Sequence, residues 1–255
     1  MKHYILVAFV LMFNGLVFGQ SNADEFTKEQ VIKLLGFDGK TQTIKVLANY
    51  NYDILTIASL LDTLHIRNCT VLEKTTVLNK KLLEIIYSVR AGSGLHEQCM
   101  LIVGCKNNKL YQSFHIISLF HEDFIDFSKK RPTPSSPDII SQYAVKLKIS
   151  TTEYPNYKMN INVHSENKSK EHPRENYNRV KDVVLNFDPV ENIFYGTRTE
   201  VSKSFNVFDP KKQKERRLYI KGNFPTIALD NYQYYYIKGE WYLKNVYSDL
   251  AMLSY

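Results

Sequence analysis

Cysteine, glycine and tryptophan are scarce in this chain: three, ten and one among 255 residues. Three cysteines cannot build the disulfide framework that staples small secreted domains, and an odd number leaves one thiol without a partner inside the chain. So few glycines exclude collagen-like and glycine-rich low-complexity sequence. Signature motifs are missing too. The glycines of "AGSG", residues 91–94, lack phosphate-loop spacing, and no Lys-Ser or Lys-Thr pair follows them. "FHEDFIDF", residues 120–127, begins like the His-Glu-x-x-His helix of zinc proteases, but Ile125 stands where the second histidine belongs. No calcium loop of the EF-hand type and no nucleic-acid-binding signature occurs. After the first 19 residues, no apolar run is long enough to span a bilayer as a helix.

What is present begins with a leader. Met1-Lys2-His3 gives a short basic start, "YILVAFVLMFNGLVFG" an apolar stretch, and Val17 and Gly19 small residues ahead of a cut before Gln20. This is the layout of a secretory signal peptide over residues 1–19, too short and wrongly flanked for a stable membrane anchor. No cysteine stands at the cut to carry a lipid. The ending "VFGQSN" is similar to signal peptides of Bacteroidetes-type bacteria, and in general texture the chain resembles exported proteins of those bacteria. The likeness implies export; it implies no activity and no site residues.

The expected protein is therefore periplasmic or secreted, with no stable membrane span once the leader is removed. Its 44% apolar and 13% aromatic residues exclude a disordered chain. The 18 tyrosines and 14 phenylalanines favour β-structure, where aromatic side chains fit a pleated surface. The formal charge of +7 suits anionic partners of the cell envelope, although the charges do not gather into one stripe. Nucleic acid is not an expected partner.

Residues 26–36 read as a short helix, with Thr27 and Gln30 as a capping box and Gly36 as its stop. "TQTIKVLANY" reads as a strand with Ile44, Val46 and Ala48 on one face. In "DILTIASLLDTLHI", Ile54, Ile57, Ala58, Leu61 and Leu64 fall at helical spacing and predict a second helix. From Cys69 the period changes to two, giving four meander strands that turn at Asn79-Lys80, at the AGSG glycines and at Asn107-Asn108. Residues 131–138, inside the Pro/Ser-rich "SKKRPTPSSPD", suggest a linker or crossing loop. Strand patterns then resume to the C-terminus. The fold class expected is mainly β (α+β): antiparallel meanders in two β-rich units, residues 20–130 and 139–255, with one or two short helices near the N-terminus.

Two groups of residues are candidate sites. In "YQYYYIKGEWYLKN", a two-residue turn at Lys238-Gly239 puts Tyr236 opposite Trp241 and Tyr234 opposite Leu243. Tyr232, Tyr234, Tyr236 and Trp241 then share one aromatic face, which could stack on sugar rings or receive a partner's side chains. Such a face is more commonly core. The second group is His96, His115 and His121, with carboxylates nearby. Counting back from the Asn107-Asn108 turn puts Met100 opposite His115 and sends Cys99 to the other face, so no Cys-His pair forms. On that count His96 shares the face of His115 but sits about four residues along, roughly 13 Å by strand rise. Cys99 and Cys105 lie six residues apart in one strand and cannot bridge.

No residue is assigned as catalytic or metal-binding, and no cofactor is expected. The function expected is an exported, envelope-associated binding or interaction protein, its partner a protein or glycan met through an aromatic β-face. The alternatives are a secreted hydrolase whose site assembles only in three dimensions, and an inhibitor or immunity protein.

Overall fold

The computed structural model describes residues 27–89, 94–125, 139–151, 157–209, 214–229, 232–245 and 251–252. The leader, Gly92 and the linker at 131–138 lie outside the described residues. The protein is mainly β. A four-stranded sheet holds β1 (Thr27–Leu35), β2 (Thr41–Asn49), β3 (Ile54–Ala58) and β4 (Thr63–Arg67). An eight-stranded sheet holds β5 (Cys69–Leu78), β6 (Leu82–Val89), β7 (Leu95–Lys106), β8 (Lys109–Ile125), β9 (Ile139–Thr151), β10 (Lys158–Ser169), β11 (Tyr177–Asp188) and β12 (Ile193–Tyr195). A five-stranded sheet holds β13 (Thr197–Asp209), β14 (Lys214–Leu229), β15 (Tyr232–Ile237), β16 (Glu240–Asn245) and β17 (Ala251–Met252). Each strand pairs antiparallel with its chain neighbours in its sheet, so all three sheets are meanders.

Both predicted helices are strands. In β1, Gln30, Ile32 and Leu34 turn inward while Glu29, Val31 and Lys33 are exposed, the alternation of a half-buried strand. Gln30, read as a capping residue, instead accepts a hydrogen bond from Thr75 Oγ1, and Ile32 pairs with Ile44 across the ladder. A helix cap contributes about 1 kcal/mol, less than a nine-residue ladder with a buried face. The second segment is the β3–β4 hairpin. Leu55, Ile57 and Ile66 are buried, whereas Leu61, counted on the helical face, stands 75% exposed in the turn.

The strand expectations for β2 and for β5 to β8 hold, as do three of the expected turns. Ile44, Val46 and Ala48 line the buried face of β2. Asn79-Lys80, Asn107-Asn108 and Lys238-Gly239 all take the positive φ angles of two-residue hairpin turns. Gly94, with φ +82, needs that freedom twice over, since a Cβ there would lie 2.7 Å from the Asp123 carbonyl oxygen. β8 and β9, on either side of the expected linker, pair within the eight-stranded sheet. The larger core also draws on both halves of the chain, from Leu34 to Trp241.

The β1–β4 sheet lies against β5 and β6, and β12 comes to lie against β8. Phe187, on β11, meets Phe194 at 5.0 Å, Tyr157 at 5.3 Å and Phe37 at 5.5 Å between ring centroids. Gly104 makes room for Phe37, whose ring a Cβ at that position would strike. In a meander alternate turns return to the same end. The β1–β2, β3–β4, β5–β6 and β7–β8 turns accordingly meet, tied by Leu35 N–H to Lys80 O (2.8 Å), Asn107 N–H to Asp38 Oδ2 (3.2 Å) and Leu110 N–H to Asp62 Oδ2 (2.9 Å).

Candidate functional site

The aromatic hairpin β15–β16 has the register expected, with Tyr236 opposite Trp241 and Tyr234 opposite Leu243. Its face is core: Tyr232, Tyr234, Tyr236 and Trp241 are all buried, Tyr234 and Trp241 completely. The reverse face, with Tyr235, Ile237 and Tyr242, is buried beneath Val201, Phe205 and Ile220 of β13 and β14. Stacking on a sugar or a partner through this hairpin has no open surface to use.

The hairpin's polar atoms explain why these residues are tyrosine and tryptophan. β9 pairs only with the second half of β8, from Leu119 onward. In the half that β9 leaves, Gln112 C=O accepts from Trp241 Nε1–H at 2.9 Å, and Ile117 N–H donates to the Tyr234 hydroxyl at 3.2 Å. Buried backbone groups need such partners, and the two aromatic rings supply them.

β8 carries extra residues at Ser113 and Ser118, where its register against β7 slips. The first bulge overturns the count from the turn. His115 lies opposite Leu101, not Met100, and so shares the face of Cys99. His96 falls on the other face, opposite His121. His115 is fully buried, and its Nε2 and the Tyr87 hydroxyl share a 2.8 Å hydrogen bond. Its Nδ1 has no hydrogen-bond partner among the described residues. Burial lowers the His115 pKa to about 3, so the ring is neutral.

The adjacent Cys99 thiol is raised above its ordinary pKa by burial and by the nearby Glu97. Burial likewise pushes Cys69 up to about 12 and Cys105 up to about 11. All three cysteines are free and buried. A protonated, enclosed thiol is neither a nucleophile nor a redox sensor.

His121 lies in β8, with Nε2 3.0 Å from Asp123 Oδ1. His96 is exposed across the ladder from it. Among the described residues no three His, Cys, Asp or Glu side chains are placed to hold a metal ion. The three candidate histidines thus divide between two faces of the sheet, one enclosed and two on the surface.

A different region collects exposed groups. Besides the four turns already joined, Phe37 meets Phe187 just before the β11–β12 turn, and Tyr234 and Trp241 run beside β8 from Ile117 towards Gln112. These contacts bring the 189–192 and 238–239 turns to the same end. Lys40, Lys80, Lys81, Lys106, Lys109 and Lys238 stand there, four of them exposed and Lys81 and Lys106 half-buried.

The carboxylates of this end are set further in. Asp38 accepts from the Lys40 and Asn107 N–H groups, and Asp62 accepts from the Thr63 and Leu110 N–H groups. Asp188 and Glu191 both grip Arg198, at 2.7 and 2.9 Å, and Glu240 is half-buried. The outermost charge is therefore basic. Projecting among it are Leu60 and Leu61, 79% and 75% exposed, and Val190, 85% exposed.

The Ser59–Asp62 turn that carries the leucines is fixed. Ser59 N–H donates to Asp62 O at 2.8 Å, and the Ser59 hydroxyl donates to Asn108 O across to the next hairpin. Sequence reasoning missed this end. Its signal was present in the turns themselves, since a meander sends every second turn to one end and lysine recurs in those turns.

Comparison with protein-family models, with curated proteins and with solved structures gives no match for this chain. Among the described residues no helix is long and apolar enough to cross a membrane.

Proposed function

We propose that this protein is an exported, envelope-associated binding module that works through the lysine-rich end rather than through a catalytic centre. The observation that carries the proposal is the layering of that end: four exposed lysines, half-buried carboxylates engaged by backbone N–H groups and Arg198, and two leucines projecting from a fixed turn. Lone exposed apolar residues are ordinary on any protein, whereas a hydrogen-bonded turn that displays two adjacent leucines marks a surface meant to be covered. The basic layer selects a partner that presents negative charge.

Sedimentation with washed cell envelopes tests the proposal. The purified protein should travel with the envelopes at low salt and be released as salt rises. A Lys80→Glu/Lys109→Glu variant, altered only at exposed positions, should remain in the supernatant. Equal partition of the two proteins would overturn it.

A further inference from the structure

Resting on that binding reading, we infer that the partner is the anionic surface of a lipid bilayer, with Leu60 and Leu61 inserted below the headgroups. A protein partner would be met by a shaped patch with aromatic anchors, whereas Tyr234, Tyr236 and Trp241 are turned into the core and the half-buried rings of Tyr111 and Tyr195 are covered by Lys109 and Arg198. What the end offers instead is an array of point charges, spread over four hairpin turns, around a small apolar wedge. That is the composition of an interfacial anchor: apolar side chains for the acyl boundary, and lysines whose long stems reach the phosphates around it. The geometry needs no rearrangement, because the wedge turn is hydrogen-bonded to itself and to the β7–β8 turn.

A second observation comes from the backbone. Lys80 and Lys238 are held at φ 61 and 52, left-handed conformations in which asparagine or glycine is the less strained residue. The neighbouring turn at 107–108 has asparagine at both such positions. Lysine kept at strained turn positions points to a use for the charge rather than to turn formation.

The test is co-sedimentation with vesicles of equimolar phosphatidylglycerol and phosphatidylcholine, set against vesicles of phosphatidylcholine alone. Binding is expected to the anionic vesicles and to be weakened by salt. A Leu60→Asp or Leu61→Asp change should weaken it by roughly tenfold each, the loss of one buried apolar side chain. Lys80→Gln and Lys109→Gln should each weaken it by roughly fivefold. Unchanged thermal unfolding of these surface variants separates lost binding from lost folding.

Vesicle binding that ignores both leucine substitutions overturns the insertion. Lysine-dependent retention on cell envelopes without vesicle binding overturns the lipid assignment, while the binding reading stands with an anionic glycan or protein as partner. Failure on envelopes and vesicles alike overturns both.

Discussion

The hairpins β7–β8 and β15–β16 begin alike and end differently. Each reverses through a two-residue turn at positive φ, and both turns lie at the lysine-rich end. β15–β16 then keeps an unbroken ladder from Ile237↔Glu240 to Tyr232↔Asn245. β7–β8 slips at Ser113 and again at Ser118. The regular hairpin lends its side chains to the irregular one: Trp241 meets Gln112 C=O, Tyr234 meets Ile117 N–H, and each contact sits one residue before a bulge. A bulged strand left by β9 has backbone groups to satisfy, and a straight aromatic hairpin is rigid enough to reach them.

The comparison breaks most visibly at Trp241. Trp241→Ala should destabilise the fold by about 3–5 kcal/mol through the cavity it opens, measured by urea denaturation. Trp241→Phe keeps most of the apolar surface but leaves the Gln112 carbonyl without the indole N–H, at a further cost of about 1–3 kcal/mol over an ordinary aromatic exchange. A Phe variant as stable as the wild type would show that the hydrogen bond to β8 contributes nothing.

Acid acts on the bulged hairpin next. Folded His115 has a pKa of about 3, while the unfolded ring has its ordinary value near 6.5. As pH falls below that value the unfolded chain takes up a proton that the folded chain refuses, so stability drops. The slope from this residue approaches about 1.4 kcal/mol per pH unit between the two values. His115→Leu should remove that slope from denaturation midpoints measured between pH 6.5 and 4, whatever it costs at neutral pH. The same slope in the variant would assign the acid sensitivity elsewhere.

Tyr234→Phe is a smaller change. It strips one hydroxyl from a buried ring and leaves the Ile117 N–H unmet, which should cost about 1–3 kcal/mol. Amide hydrogen exchange at Ile117 should quicken by more than exchange in β15, because the loss falls on β8.

The two hairpins also mark how far the sequence could be read. Period-two patterning and turn residues located the strands from β5 to β8, and a count from Lys238-Gly239 placed every pair of β15–β16. The same count from Asn107-Asn108 gave the wrong face for His115, since Ser113 looks like any other strand residue and a bulge is decided by what docks on the strand. The N-terminal strands misread for a related reason. A capping pattern at Thr27–Gln30 is local, whereas the partners that make β1 a strand, β2 and the Thr75 hydroxyl, lie outside any short window. The aromatic face was legible as a face but not as buried, because its cover comes from β8, β13 and β14. The lysine-rich end needed strand parity, which two misassigned helices concealed.

Lys238→Asn gives the smallest effect on folding and separates it from binding. At φ 52 an asparagine relieves left-handed strain, and Asn-Gly is the favoured pair for this turn, so the variant should be more stable by up to about 1 kcal/mol. The same change deletes one cation from the lysine-rich end and should weaken binding to anionic vesicles by roughly fivefold. The β7–β8 turn supplies the contrast. Asn108→Gly should also relieve strain while leaving Asn108 O to accept from Ser59, with vesicle binding unchanged. If Lys238→Asn stabilised the protein and left vesicle binding intact, the lysine would be a tolerated turn residue with no part in docking. Stability gained together with binding lost would mean that β15–β16, regular everywhere else, keeps a poorer turn residue for the sake of its charge.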